Sequence, residues 1–264
     1  DIFQDWKKNP MITPWCRERA IYNTGNAENP LQRHPYEPSY LFETCMKPWI
    51  GFPVKGAIWY QGEANVHNVK LHTALFASLM RSWRKYWGID FPVFFAQLSS
   101  FQNEAWPAFR NSQRILMENI AGTGMAVTSD VGDAGDIHPK RKREVGERLA
   151  LWALAKEYGY KKEYSGPLFR DAIVQNGNVV IRFSHSSHLK TSDGESLRSF
   201  ELAGYDKVFK PAKARIHGSK VWVSSDEVAD PYYVRYGWQP FSEGNLTNTE
   251  NLPASTFATK LIHR

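Results

Sequence analysis

Cysteine is scarce in this chain: Cys16 and Cys45 are the only two among 264 residues. Their spacing fits no metal motif, and one pair is no disulfide framework, so the fold has to rest on a packed core. One bridge and two free thiols are both compatible with the sequence. No apolar run reaches the length of a membrane helix, so no membrane span is expected. There is no internal repeat and no low-complexity tract. Charge of one sign is not in large excess either: 33 Lys and Arg stand against 27 Asp and Glu, a net +6. The basic residues are dispersed except for Lys140-Arg141-Lys142-Arg143. That run opens a helix and reads as a solvated charged turn, so no nucleic-acid partner is expected. The chain begins Asp1-Ile2-Phe3-Gln4-Asp5, with neither a starting methionine nor the apolar stretch of a signal peptide. This opening reads as that of a processed or truncated chain, and it leaves the compartment undecided.

What the sequence has in quantity is aromatic residues. Ten Trp, twelve Tyr and fifteen Phe sit in a chain that is 42% hydrophobic, enough for a sizeable core. Such rings line sugar sites, but they also pack cores, and packing is the commoner use.

Residues 1–50 carry prolines at 10, 14, 30, 35, 38 and 48 and read as irregular. From Val54 the pattern becomes regular. Val54 to Tyr60 is a short apolar strand. Leu71, Leu75, Phe76, Leu79, Trp83 and Trp87 recur at helical spacing across 69–87. A second strand spans Pro92 to Leu98, a second helix Trp106 to Ile120, and a third strand Gly124 to Ser129. Pro139 is placed at a helix start, and Val145, Leu149 and Trp152 carry that helix toward Gly159. Strand and helix alternate, which implies βαβ units and a parallel sheet. Beyond about residue 162 the texture changes to short, partly alternating runs separated by Gly and Asp turns, as in Gln175-Asn176-Gly177 and His217-Gly218. A small antiparallel β-domain, of sandwich type, is expected there. The division is thus 1–161 for the α/β part and 162–264 for the β part.

In an open parallel sheet, ligands sit beyond the carboxyl ends of the strands. Gln61 and Glu63 follow the first strand, Ser99, Ser100 and Gln102 the second, and Asp130, Asp133, Asp136 and His138 the third. All the polar clusters of interest therefore fall on one rim. His138, with carboxylates two and five residues before it, suits a general base oriented by an acid, although Asp- and Pro-containing loops before helices are common for structural reasons alone. The amide of Gln61 suits an oxyanion donor. Glu63 suits a histidine partner, a hydroxyl ligand or a helix cap, and Asn65 carries the same ambiguity. His185 and His188, three apart, read as loop residues more readily than as metal ligands. Gly194-Glu195-Ser196 lies in a β-region turn and does not read as a nucleophile. Asn245-Leu246-Thr247 has the pattern of a glycosylation acceptor.

The block Gly56-Ala57-Ile58-Trp59-Tyr60-Gln61-Gly62-Glu63-Ala64-Asn65 resembles the GxIWYQGExN segment of sialate O-acetylesterases, carbohydrate esterases of the SGNH-hydrolase superfamily. The stretch from Asp130 through Asp133, Asp136, Ile137, His138 and Pro139 to Glu147-Arg148-Leu149-Ala150 resembles that family's histidine block. Phe200-Glu201-Leu202-Ala203-Gly204, Val234 to Trp238, Glu243 to Asn248 and Leu252 to Ser255 match in order as well. The resemblance implies a three-layer α/β domain with accompanying β-domains. It also implies hydrolysis of acetyl esters on sugars without metal or organic cofactor, and a secreted or periplasmic protein. It makes His138 the general base and Gln61 an oxyanion donor, with Asp136 favoured for orienting the histidine, Asp133 and Glu63 as alternatives to it, and Glu63, Asn65 and Asp133 as candidates for binding substrate. The family's Gly-Gln-Ser-Asn-Met nucleophile block has no counterpart in residues 1–55, where Ser39 is the only serine. The expectation is that the chain corresponds to the C-terminal half of such an enzyme, with the nucleophile on an N-terminal segment upstream of Asp1. The alternative is a non-catalytic glycan-binding fragment or decayed esterase.

Overall fold

A computed structural model describes residues 2–10, 12, 14–25, 35, 37 and 39–262. The described residues fall into two compact units, residues 1–54 with 81–89, and residues 55–80 with 90–264.

The first unit departs from expectation. Two helices, α1 (Ile2–Lys8) and α2 (Pro14–Gly25), occupy a stretch whose prolines suggest irregular chain. The prolines punctuate these helices and do not break them. Pro10 lies just past the end of α1. Pro14 takes the first position of α2, where a missing N–H costs nothing and the fixed φ suits the helix. A π-helical turn (Phe42–Met46) and a 3-10 turn (Lys47–Trp49) follow. Cys45 is exposed and free; the side chain of Cys16 and the prolines at 30 and 38 lie outside the described residues.

In the second unit, β1 (Ala57–Trp59), β2 (Val93–Ala96) and β3 (Thr123–Ala126) form a parallel sheet in the order β1-β2-β3. Helix α3 (Val69–Trp87) links the first two strands and α4 (Trp106–Asn119) the next two. Helix α5 (Lys142–Glu157) starts three residues after Pro139, not at it. The delay arises because Asp136, Ile137 and His138 are held in a turn of their own, described below. β2 is central and buried along its whole length, as a strand flanked on both sides must be. β1 is an edge strand, and Ile58 on it is 70% exposed.

The rest of this unit is antiparallel. β4 (Leu168–Gln175), β5 (Asn178–Ser184), β9 (Lys213–His217) and β10 (Lys220–Ser224) make a sheet in the order β4-β5-β10-β9. A second sheet, in the order β13-β11-β7-β8, contains β7 (Phe200–Ala203), β8 (Lys210–Pro211), β11 (Tyr233–Tyr236) and β13 (Phe257–Lys260). A small ribbon pairs β6 (Lys190–Thr191) with β12 (Leu246–Thr247). Val179, Ile181 and Val221 from the first sheet and Phe200, Leu202 and Phe257 from the second share one apolar core, which makes the pair a sandwich.

Arg110, on α4, ties the sandwich to the parallel sheet. Its side chain is fully buried. The guanidinium donates to the carbonyls of Gly237 (2.9 Å), Gln239 (2.6 Å) and Pro240 (2.9 Å) and to the hydroxyls of Thr256 (3.1 Å) and Ser100 (3.3 Å). Its partners are neutral oxygens. Burial pushes it down to about 9, which still leaves it cationic at neutral pH. Asn111 extends the junction by accepting the Ala258 N–H of β13 at 3.3 Å. A second buried group, His72 on α3, lies 4.5 Å from Phe109 with the rings tilted at 51°, and its Nδ1 finds no partner among the described residues. Burial lowers its pKa to about 4, so it is neutral in the folded protein.

Two outcomes are expected. Arg110→Met strands one buried and two part-buried carbonyls and should cost about 3 kcal/mol in denaturant unfolding. For His72 the folded pKa lies below the unfolded value of about 6.5, so the unfolded chain takes up the proton first as pH falls. Stability is therefore complete above pH 6.5 and declines toward pH 4, by on the order of 3 kcal/mol for this group. His72→Met should flatten that part of the stability–pH curve; an unchanged slope would exclude His72 as its source.

Candidate functional site

The carboxyl ends of β1 and β3 open onto a groove of about 390 Å³. Tyr60, Gln61, Glu63 and Ala64 line it from the loop after β1; Ile137 and His138 line it from the loop after β3; Lys142 closes it from the start of α5. Apolar packing brings the loops together. Tyr60 and Ile137 rest on the same small cluster of Leu98, Trp106 and Phe109, so loops far apart in sequence share one floor.

Each loop is fixed by close backbone contact. Gly62 lies against the Phe109 ring, where a Cβ would come within 2.6 Å of the ring edge. Gly132, entering the histidine loop, passes so near Ser100 that a Cβ would stand 2.1 Å from its carbonyl oxygen. Beyond it, Asp133 Oδ1 accepts the N–H of Gly135 (2.9 Å) and Asp136 (3.2 Å), and Asp136 Oδ1 accepts the backbone N–H of His138 (2.8 Å). These nested turns are the work of two short carboxylate side chains. They also hold the Asp136 carboxyl below its usual range, chiefly through the His138 N–H and then through its charge and ring.

The sequence-predicted residues fall into three groups. Gln61, Glu63 and His138 meet at the groove. Asn65 stands behind Gln61 and accepts one of its amide N–H groups at 2.6 Å, which leaves the second for a ligand. Glu63 Oε2 accepts the N–H of Gly62 at 2.9 Å, so part of its role is to cap its own turn. Asp136 is the acid nearest the histidine, with Oδ1 3.5 Å from Nδ1, a separation too long for a strong hydrogen bond. The His138 side chain is 86% exposed. Asp133 does not line the groove; it shapes the loop that presents His138.

Other rim residues are structural. Arg148 grips Asp130 through two contacts of 2.5 and 2.7 Å and also donates to the Val127 carbonyl. Ser100 Oγ receives Arg110 and the Ser242 N–H. Ser99 Oγ lies between Tyr60 Oη (3.0 Å) and Thr128 Oγ1 (3.1 Å), and the Thr128 hydroxyl in turn donates to the Gln97 carbonyl. Ser39, in the first unit, is exposed, and its carbonyl accepts the Glu43 N–H. Among the described residues, the groove lining contains no serine or cysteine.

Sequence reasoning overlooked Tyr60 and Lys142. Lys142 Nζ sits 5.0 Å from the centre of the Tyr60 ring. The signals were present: Tyr60 directly precedes Gln61, and Lys142 opens α5 just past His138. Away from the rim, His185 Nδ1 meets Glu163 at 2.5 Å, a local pair, and among the described residues no group of three His, Cys, Asp or Glu is placed to hold a metal. Asn245 is 1% exposed and donates to Asp193 and the Ser196 carbonyl. The glycosylation pattern is therefore inaccessible once the chain folds. No helix among the described residues is long and apolar enough to cross a membrane.

Comparison with known proteins points one way. Residues 36–155 match the family described as carbohydrate esterase, sialic acid-specific acetylesterase. A sialate O-acetylesterase of Mus musculus is 26% identical over 87% of this chain and 49% of its own length. The sialate O-acetylesterase of Homo sapiens is 32% identical over 63% of this chain and 37% of its own. A crystal structure of a carbohydrate acetylesterase from Xanthomonas citri superposes with a TM-score of 0.79 at 39% identity, over 83% of this chain and 53% of that one. The chain thus spans about half the length of the relatives it matches, or less.

The close approach at Gly132 gives a direct test of how the histidine loop is held. Gly132→Ala must push the loop away from the Ser100 backbone, at a cost of about 2 kcal/mol or more. The His138 imidazole resonances should shift in the NMR spectrum while those of the sandwich methyls stay in place. An unperturbed His138 spectrum would show that the contact does not position the loop.

Proposed function

We propose that this chain, which is related to the sialate O-acetylesterases and whose residues 36–155 are of the sialic acid-specific acetylesterase kind, is the histidine-bearing half of a sugar O-acetylesterase. One observation carries the reading: Gln61 from the loop after β1 and His138 from the loop after β3 face one groove at the carboxyl rim of a parallel sheet.

In this reading a serine Oγ attacks the acetyl carbonyl, and His138 takes its proton. The oxyanion that forms is met by the Gln61 N–H not used by Asn65. The tetrahedral adduct collapses as His138 returns the proton to the departing sugar oxygen, leaving an acetyl-serine. Water then attacks, giving its proton to His138, and acetate leaves as the serine is regenerated. Asp136 is the acid best placed to orient His138 and stabilise its cation. Its 3.5 Å contact is long, as catalytic hydrogen bonds often are before substrate binds. Glu63 and Asn65 contact the sugar or hold the Gln61 loop, and Asp133 keeps the histidine loop in shape.

The nucleophile is assigned to an upstream segment of the same protein. Two observations support this, both among the described residues: the groove lining has no serine, and no strand pairs with the outer edge of β1, where Ile58 is exposed. A segment that supplied both the serine and a strand beside β1 would complete the site and cover the edge. The sugar that carries the acetyl group is sialic acid or another acetylated glycan. The other reading, a glycan-holding fragment without catalysis, draws on the same lack of a serine.

Acetate release from an aryl acetate separates the two readings. The protein with its upstream segment should be active, and His138→Ala should lower kcat by about 10²–10⁴-fold. Activity that survives His138→Ala, or an inactive complete protein, would refute the esterase reading.

A further inference from the structure

We propose that the free edge of β9 is a docking site for an extended acidic peptide, which adds to the sandwich as a further strand. β9 and β10 form a hairpin through two residues, Gly218 and Ser219, with His217 opposite Lys220. A two-residue hairpin makes that closing pair a hydrogen-bonded one, and bonded pairs then alternate along the ladder, so Arg215 and Lys213 also bond β10. The backbone N–H and C=O groups of Ala214 and Ile216 therefore point away from β10. β9 is the last strand of its sheet, and among the described residues these four groups have no hydrogen-bond partner. They border a groove of about 630 Å³, larger than the one at the rim of the parallel sheet.

The chemistry of the groove defines what fits it. Leu197, Ala212, Ala214 and Ile216 are half-buried against the sandwich core and give an apolar floor. The far wall, the segment 191–197, is pinned by the buried Asn245. The Asn245 carbonyl accepts the Ser192 N–H at 2.9 Å; its side chain donates to the Ser196 carbonyl at 3.1 Å and accepts the Arg198 N–H at 3.2 Å. The groove is thus formed before a ligand arrives, which lowers the cost of binding. The pleat puts Lys213, Arg215 and His217 on the face of β9 opposite Ala214 and Ile216. Asp226 pairs with Lys213 at 2.6 Å, whereas Arg215 is exposed and pairs with no carboxylate among the described residues. In the lining, Glu195 is the one carboxylate against the two cations Lys213 and Arg215. A strand added here sets one residue opposite Arg215 and its two neighbours opposite Ala214 and Ile216, so the fitting pattern is apolar, acidic, apolar. A second copy of this chain fits poorly. β9 against β9, antiparallel about Arg215, sets Arg215 against its equal and Lys213 against His217.

This inference does not depend on the esterase reading and is tested by binding to the full chain. The probe is the capped peptide acetyl-Thr-Val-Glu-Val-Thr-amide, followed by NMR. The backbone amide resonances of Ala214 and Ile216 should shift, and their hydrogen exchange should slow about 10-fold at saturation. Lys in place of the peptide's Glu should weaken binding about 5-fold, as for an exposed ion pair, and Arg215→Gln should remove most of that difference. Ala214→Pro deletes an outward N–H and should weaken binding. A peptide N-methylated at every amide makes the complementary test without touching the fold, and it should not bind. Equal binding of the Glu and Lys peptides, binding of the N-methylated peptide, or unchanged Ala214 and Ile216 amides would each overturn the proposal. So would protection of those amides without peptide in a chain that sediments as a dimer, which would assign the edge to a second copy. Loss of peptide binding in the protein with its upstream segment would likewise overturn it and assign the groove to that segment.

Discussion

The second unit depends on a buried cation held by neutral oxygens. Among the described residues Arg110 has no carboxylate partner; five carbonyl and hydroxyl groups share its charge. A buried carboxylate would need its own solvation shell replaced, whereas carbonyl oxygens in a loop already need donors. One guanidinium thus satisfies the loop at 237–240, the approach to β13 and the exit of β2. Because α4 also carries Phe109, whose ring supports Gly62 and His72, the same helix that holds the sandwich holds the groove.

The groove shows how a sheet rim is assembled from separate constraints. Apolar packing of Tyr60 and Ile137 sets the distance between the two loops. Missing Cβ atoms at Gly62 and Gly132 let the loops lie close to the sheet. Short carboxylates at Asp133 and Asp136 shape the turn, and this local demand displaces the start of α5 beyond Pro139. Polar residues that look equivalent in a string of letters thus divide into those that face the groove and those that hold others in place.

How far the sequence revealed this depends on the range of the interactions involved. Helix α3 was legible to its last residue because its apolar spacing is a property of nineteen consecutive positions. The shared rim was legible because βαβ alternation orients every strand exit alike. α1 and α2 were not, since proline signals a break without saying whether a helix lies on either side of it. Arg110 was not legible either: nothing nearby in sequence distinguishes it from Arg114 on the same helix, which bonds Asn111 and Glu118 close by. Its partners lie up to 146 positions away. Lys142 was hidden in a run of like charges, because what separates it from its neighbours is that it alone of the run lines the groove.

The distance along the chain between α4 and β13 also bears on how the protein is made. β13 pairs with β11, supplies Phe257 to the sandwich core, and takes its register in part from Asn111. During synthesis, α4 and the groove emerge well before the strand that completes their support. Until residues 256–260 leave the ribosome, Arg110 lacks its Thr256 partner and the sandwich lacks a strand. The unit is therefore expected to close late and slowly, as folds dominated by distant pairings do, and to need protection from premature association while it waits.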